Sequence, residues 1–294
     1  MIRVKVPATI ANFGPGYDVF GAAITALHDI VEIELSDIPE VIVEGYKVPQ
    51  EPLKNVAYVA ARALLQQYGM DDEIRMRIRK GIRPGSGLGS SGASSLGGAF
   101  AAAKLLGTEE GEKIIKAALE GERVASGTRH GDNVVPAYYG GFTIVNSTEP
   151  LDVVRMDMKL SLVVILPLLE INTGEARKQV PREIPVEHAS RNIALASSLI
   201  VALISGDLAA AGRYLEDYIA FPYRRPLYPW FQDAKNAALD ADAYNLMISG
   251  SGPAMFAIGE NLCDVGRAVV EQLKSRGIDA EYYVTEIGGG AECI

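Results

Sequence analysis

Residues 81–98, Gly-Ile-Arg-Pro-Gly-Ser-Gly-Leu-Gly-Ser-Ser-Gly-Ala-Ser-Ser-Leu-Gly-Gly, concentrate glycine and serine where a strand-like run passes into a helix-like one. Such a segment exposes several backbone N–H groups at a helix start, where the unpaired amides and the helix dipole favour an anion. Glycine lets the backbone approach phosphate oxygens closely, and serine hydroxyls add hydrogen bonds or reach a metal. The chemistry these residues suit is that of a phosphate cradle.

Two common cradles do not fit. A P-loop closes GxxxxGK[ST] with a lysine that reaches the terminal phosphates, and residues 81–98 contain no lysine. Gly87-Leu-Gly89-Ser-Ser-Gly92 does satisfy the dinucleotide pattern GxGxxG. That pattern needs a buried parallel strand before it and a strand ending in an acidic residue about 20 positions on. Here the preceding strand carries Arg75, Arg77 and Arg79 in alternation, and the acidic residues at 109–112 fall between two helices.

The elements that must position this loop are legible from periodicity. Residues 2–6 and 19–35 read as strands around a loop that includes Asn12 to Asp18, and 55–69 read as a helix with Val56, Val59, Ala60, Ala63 and Leu64 at helical spacing. Ile74, Met76 and Ile78 alternate with the arginines, the mark of a strand with one wet face. Helices are predicted from the loop to about Leu106 and over 112–126, and strands over 141–146 and 152–166, with Val163 to Leu166 buried on both faces. The second half reads as helices near 188–204, 206–217 and 230–240, strands 245–249 and 254–258, helix 264–275 and strand 279–284. With its helices grouped, that is a βαββαβ order, as in ferredoxin-like α+β domains. A domain boundary falls near residues 147–160.

Bulk properties narrow the class. The 294 residues suffice for one large or two modest domains. A net charge of −9 with no basic face argues against a nucleic-acid partner. Cys263 and Cys293 lack CxxC spacing and His28, His130 and His188 are scattered, so neither a disulfide framework nor a zinc site is expected. No apolar run approaches the roughly 18 residues of a membrane span, and the N-terminus lacks a signal-peptide core. A reduced, cytoplasmic protein without a membrane partner is the expectation.

The loop at 83–93 resembles the Pro-x-x-x-Gly-Leu-Gly-Ser-Ser-(Ala) loop of the galactokinase–homoserine kinase–mevalonate kinase–phosphomevalonate kinase (GHMP) superfamily. From end to end the chain is similar to the homoserine kinase branch of that superfamily. Pro7-Ala-Thr-Ile-Ala-Asn12-Phe-Gly-Pro-Gly-Tyr-Asp18 is similar to its first motif and Ile248-Ser-Gly-Ser-Gly-Pro-Ala-Met-Phe256 to its third. Ser126-Gly-Thr-Arg-His130-Gly-Asp-Asn133, Asn172-Thr-Gly-Glu-Ala-Arg177 and Pro222-Tyr-Arg224 follow the same branch in order. Pro84 stands one place nearer the glycines than is usual, and Gly92 and Ala93 stand where two alanines are common; both put only fine loop shape in question.

The resemblance implies a two-domain α+β fold: an N-terminal ATP-binding domain over 1–155, similar to ribosomal protein S5 domain 2, and a ferredoxin-like domain over 156–294. It implies ATP-dependent phosphorylation of L-homoserine to O-phospho-L-homoserine in threonine biosynthesis, with Mg2+, in a homodimer. Arg83, Pro84, Gly85, Ser86, Gly87, Leu88, Gly89, Ser90, Ser91, Gly92 and Ala93 would form the ATP loop, with the amides from Gly85 to Gly92 holding the α- and β-phosphates. Asn55 would contact adenine, although an N-cap is equally good chemistry for it. Ser90 or Ser91, with Glu122, would hold Mg2+. Asp18 with Asn12 suits the ammonium of the acceptor. Arg177 and Arg224 suit its carboxylate, Arg225 being an adjacent competitor. Asn133 and Thr173 would orient the hydroxyl and the γ-phosphate, so Asn133, Thr173 and Arg177 form the catalytic set. Asn133 is an amide where mevalonate kinase-like relatives carry an aspartate base, and the adjacent Asp132 is given no role. Another small-molecule kinase of the superfamily, for mevalonate or shikimate, and a silent nucleotide sensor are the alternatives.

Overall fold

The computed structural model describes residues 1–126, 131–169 and 173–294, with the side chains of residues 125, 126 and 173 outside that description. In chain order the elements are β1 (Ile2–Ala11), β2 (Phe20–Ser36), β3 (Glu40–Gly45), α1 (Val56–Gln67), β4 (Glu73–Lys80), α2 (Ser90–Leu106), α3 (Gly111–Ser126), α4 (Gly131–Tyr139), β5 (Phe142–Thr148), β6 (Leu151–Met156) and β7 (Ser161–Pro167). There follow α5 (Thr173–Lys178), α6 (Val186–Ser205), α7 (Leu208–Tyr214), α8 (Phe221–Arg224), α9 (Phe231–Asp240), β8 (Ala243–Ile248), β9 (Met255–Gly259), α10 (Leu262–Ser275), β10 (Ala280–Glu286) and β11 (Glu292–Cys293).

Two sheets organise these elements among the described residues. The first runs β11-β1-β2-β4-β3, with β5 and β6 joined through β2; the second is four-stranded in the order β10-β7-β9-β8. Every pairing in the second sheet is antiparallel, the pattern expected of the βαββαβ order. The chain leaves the first sheet after β6 and enters the second at β7. Residues 152–166 are therefore two strands in different sheets, broken at residues 157–160. β1 continues to Ala11 through a register shift at Pro7/Ala8, so the first motif begins as strand. Sequence reading missed the edge strand β3, parallel to β4, and α4, which contains Pro136, together with the short α5, α8 and β11.

Helix α2 is the buried axis of the first half, with thirteen of its seventeen residues buried. Its alanines, serines and glycines let α1, α3 and the sheet close on it together. A Cβ on Gly98 would lie 1.9 Å from the Ala57 carbonyl oxygen, so the α1–α2 approach requires glycine there. Helix α6 is long and apolar enough to cross a membrane by length and composition alone. It nonetheless packs Leu195, Leu199, Ala202 and Leu203 inward and leaves Val186, Ile193, Val201 and Ile204 exposed.

β4 shows how the alternation resolves. Arg75, Arg77 and Arg79 face outward into a ladder with Glu34, Glu40 and Glu44 on the neighbouring strands. Ile74, Met76, Ile78 and then Lys80 face inward. On β2, Asp29 holds the same inward phase as Val31 and Ile33, so the two charges meet in the core, both almost fully buried. Lys80 also donates to the Ser90 carbonyl (3.0 Å) and the Ser94 hydroxyl (2.8 Å). Burial pushes the Lys80 ammonium below its usual pKa, while Asp29 and Glu122 push back. Removing one member of a buried pair strands the other without water. Asp29→Ala is expected to cost about 3 kcal/mol of unfolding free energy, far more than Arg77→Ala on the exposed ladder, as read from urea denaturation midpoints.

Candidate functional site

The glycine loop leaves β4 at Lys80 and enters α2 at Ser90, and its path is fixed from both ends. The Asp29 carboxylate accepts the amides of Gly81 (3.0 Å) and Ile82 (3.1 Å), and the Ser90 hydroxyl donates to the Ile82 carbonyl (2.9 Å). Further along, loop carbonyls are claimed from outside: Ala254 N donates to Ser86 (2.8 Å), Ser249 Oγ to Gly87 (2.7 Å) and Thr9 N to Leu88 (3.1 Å). Gly87 has φ +85°, and a Cβ there would sit 2.5 Å from the Ser249 carbonyl, so the second-sheet turn packs directly on glycine backbone. Among the described residues no side chain caps the N-terminus of α2, which opens with Gly89 in the left-handed region.

That N-terminus borders a cavity of about 440 Å³. Pro84, Gly85, Gly87, Gly89, Ser90, Ser91, Glu122, Asn55, Asn12, Asp18, Asn133, Arg177 and Arg224 all line it, so residues spread over more than 200 positions converge. Arg83, Ser86, Leu88, Gly92 and Ala93 do not. Leu88 and Ala93 turn into the core, Ser86 Oγ accepts the Leu88 amide at 3.3 Å, and Gly92 packs on the Asn133 side chain. Thr173 opens α5, but its side chain lies outside the described residues, as do Asn172 and residues 127–130 of the quoted motifs.

The loop from Asn12 to Val19 is strained and held. Asn12, Phe13 and Asp18 all have positive φ, which non-glycine residues adopt only where surroundings enforce it. Phe13 packs between Phe142 and Phe256, and Asn12 accepts the Asp18 amide (3.1 Å) while donating to the Gly250 carbonyl (3.2 Å). Asp18 pairs with Arg177 at 2.6 Å. Arg224 is buried, its Nε donating to the Ala176 carbonyl (3.0 Å) and Nη1 to Gly250 (3.2 Å), with its guanidinium over the Tyr17 ring. Arg225 is exposed beside Gln232 and does not line the cavity, which separates the two adjacent arginines.

Asn133 Oδ1 accepts the Thr9 hydroxyl at 2.8 Å, which fixes the amide orientation, and Nδ2 donates to Asp132 Oδ1 at 3.4 Å with its second N–H left to donate. Asn55 uses its carbonyl to cap α1 at Ala57 and Tyr58, and its NH2 to hold the Pro49 carbonyl at 2.7 Å. Its N-cap role is thus filled, and it fastens the segment that brings Val48 and Pro49 into the cavity wall. Ser91 hydrogen-bonds Glu122, whereas the Ser90 hydroxyl is committed to Ile82.

Sequence reading missed Lys80, Ser94, Lys54, Val48, Pro49, Val124, Gly250 and Ser251 in this wall, and left Asp132 without a role. The signal for Lys80 was present: a lysine at an inward position of β4 demands a buried partner. Burial lifts the Asp132 carboxyl to about 7, with the Asp18 charge adding to the effect and Arg177 opposing it. Glu122 rises to about 7, again through burial, against the Ser91 hydrogen bond and the Lys80 charge.

The cavity thus brings a phosphate-type loop opening a helix together with Asp18, Arg177 and Arg224 on a two-sheet α+β fold. The GHMP kinases N terminal domain matches residues 55–141 and the GHMP kinases C terminal domain residues 199–278, and the chain belongs to the GHMP kinase family. Within it, the chain is 57% identical to the homoserine kinase of Pyrococcus furiosus and 56% to that of Thermococcus kodakarensis, each over 99% of both chains. The crystal structure of homoserine kinase from Cytophaga hutchinsonii superposes with a TM-score of 0.92 at 35% identity, covering 100% of this chain and 97% of that one. Mevalonate kinase from L. major, in complex with R-mevalonate, shares the fold at TM-score 0.71 and 18% identity over 97% and 95% of the two chains.

A carboxyl group raised from 4.5 to about 7 in the fold holds its proton where the unfolded chain has lost it. Its contribution to stability therefore falls as pH rises through that window, by about 3 kcal/mol for a fully buried group in the ligand-free protein. Glu122→Gln is expected to unfold at higher urea than the parent at pH 8, with the advantage shrinking by pH 5.

Proposed function

We propose that this protein transfers the γ-phosphoryl group of ATP to the hydroxyl of L-homoserine, giving ADP and O-phospho-L-homoserine on the route to threonine. The observation that carries the reading is the grouping of Asp18, Arg177 and Arg224 around Asn133 in the cavity beside the α2 N-terminus. One carboxylate and two guanidinium groups match a zwitterion, whereas mevalonate, a carboxylate without an ammonium, offers nothing to Asp18. In the free site Arg177 and Asp18 neutralise each other. On binding, the acceptor carboxylate takes the arginines and its ammonium takes Asp18, with Asn12 beside it.

The amides of Gly85, Gly87, Gly89, Ser90 and Ser91, at the cavity and ahead of the α2 dipole, hold the α- and β-phosphates. Val48, Pro49, Val56 and Val124 give the adenine an apolar wall, with Asn55 holding that wall in place. Glu122 and Ser91 form a donor set suited to Mg2+, which favours one or two protein oxygens and keeps phosphates and waters as its other ligands. When bound, the ion would neutralise charge on the transferring group. Asn133 donates to the acceptor hydroxyl and fixes its line of attack. The new O–P bond forms as the bond to the leaving ADP oxygen breaks, and the hydroxyl proton passes to a phosphoryl oxygen. Such a loose transition state needs little early activation of the nucleophile. Asp132, in the cavity wall with its raised pKa, supports a second reading in which a carboxylate takes that proton.

The exposed apolar residues of α6, Val186, Ile193, Val201 and Ile204, support a homodimer formed by this face in two copies. Val201→Glu is then expected to give a monomer in sedimentation, whereas an unchanged sedimentation coefficient would remove α6 from the interface.

ATP, Mg2+ and L-homoserine should yield O-phospho-L-homoserine, with mevalonate and shikimate turned over at least about 100-fold less efficiently. Preference for either of those acceptors, or ATP binding without turnover of any, would overturn the reading. Asn133→Leu is expected to lower kcat by about 100-fold or more and Asp132→Asn by less than about tenfold. An equal collapse in a folded Asp132→Asn enzyme would establish the carboxylate base.

A further inference from the structure

Asn192 sits on the inner face of α6, buried, and lines no part of the cavity. Its two amide ends serve two different segments. Nδ2 donates to the Pro15 carbonyl at 2.6 Å, in the strained loop between Asn12 and Asp18. Oδ1 accepts the Tyr218 amide at 3.1 Å, in the turn that leads into α8 and Arg224.

Next to Tyr218, the Asp217 carboxylate gathers the amides of Ile219 (2.7 Å), Ala220 (3.0 Å) and Phe221 (2.8 Å), and Arg224 N then bonds to the Ala220 carbonyl. The turn from 217 to 224 is thereby a single braced piece, and Asn192 ties that piece to the Asn12–Asp18 loop. A buried side-chain amide presents an NH2 donor end and a carbonyl acceptor end at a fixed separation, and losing either partner leaves a buried polar group unsatisfied.

We propose that Asn192 is a positioning residue for phosphoryl transfer: it sets the span between the Asp18 wall, for the acceptor ammonium, and the Arg224 wall, for its carboxylate. This rests on the amino-acid reading of the site given above. The nucleotide loop has braces that Asn192 does not touch, through Asp29, Ser249 and Thr9, so loss of the clamp acts first on the acceptor.

Two variants of the full chain test it. Asn192→Leu removes both bonds. Asn192→Asp keeps the acceptor for Tyr218 but sets a carboxylate against the Pro15 carbonyl, and carries the comparison if the leucine variant does not fold. In each, KM for L-homoserine is expected to rise about tenfold or more, with KM for ATP within about twofold of the parent. Amide hydrogen exchange, read without substrate, is expected to quicken over residues 13–20 in both variants and over 218–224 in Asn192→Leu, and to stay unchanged in the first turn of α2. Parallel rises in both KM values, or unchanged exchange in the 13–20 segment, would overturn the clamp. If the parent turns over no L-homoserine, the functional reading fails while the exchange result still decides the clamp.

Discussion

The buried carboxylate of Asp29 is the constraint on which the rest of the site depends. One oxygen holds the amides of Gly81 and Ile82, and the other receives the Lys80 ammonium and the Ser94 hydroxyl. A single side chain thus fastens the end of β4, the first residues of the glycine loop and the first turn of α2. A desolvated charge is tolerable only when every lone pair is used, and here the use of those lone pairs dictates where the loop begins. Substitution at Asp29 would release the loop from both ends, whereas exposed ion pairs on the same strands hold nothing but each other.

Around that anchor the two sheets interlock through backbone atoms rather than through a broad apolar interface alone. The turn between β8 and β9 docks on the loop through Ser249 and Ala254, and its Gly250 carbonyl receives both Asn12 and Arg224. The acceptor wall and the nucleotide loop therefore share a support from the second half of the chain. Charge placement follows from this: Asp18 and Arg177 come from opposite halves and meet only because that turn brings the first motif and α5 together.

Much of this was legible in the sequence wherever local pattern decides structure. Alternation in β4, helical spacing in α1 and the glycine loop's junction of strand and helix all correspond to what forms. β3 escaped because a six-residue edge strand derives its identity from pairing with β4, and α4 because Pro136 interrupts its helical pattern. Residues 152–166 look continuous in hydropathy, yet the strands before and after residues 157–160 belong to different sheets, a choice made by tertiary partners. The family motifs pointed to Asn12, Asp18, Asn133, Arg177 and Arg224, but not to the supports that orient them. Thr9, Asn192 and Asp217 are ordinary polar residues in sequence; only burial with both hydrogen-bonding ends engaged distinguishes them.

The first sheet is completed from far along the chain. β11 pairs with β1 at Val4 and Lys5, and Ile287 bridges to Ile24, after β7 to β10 have built the other sheet. On the ribosome, then, the phosphate-loop sheet waits with an open β1 edge until residues near 290 emerge. The order of synthesis and the order of completion are opposed, so the half that is made first is the half that is finished last.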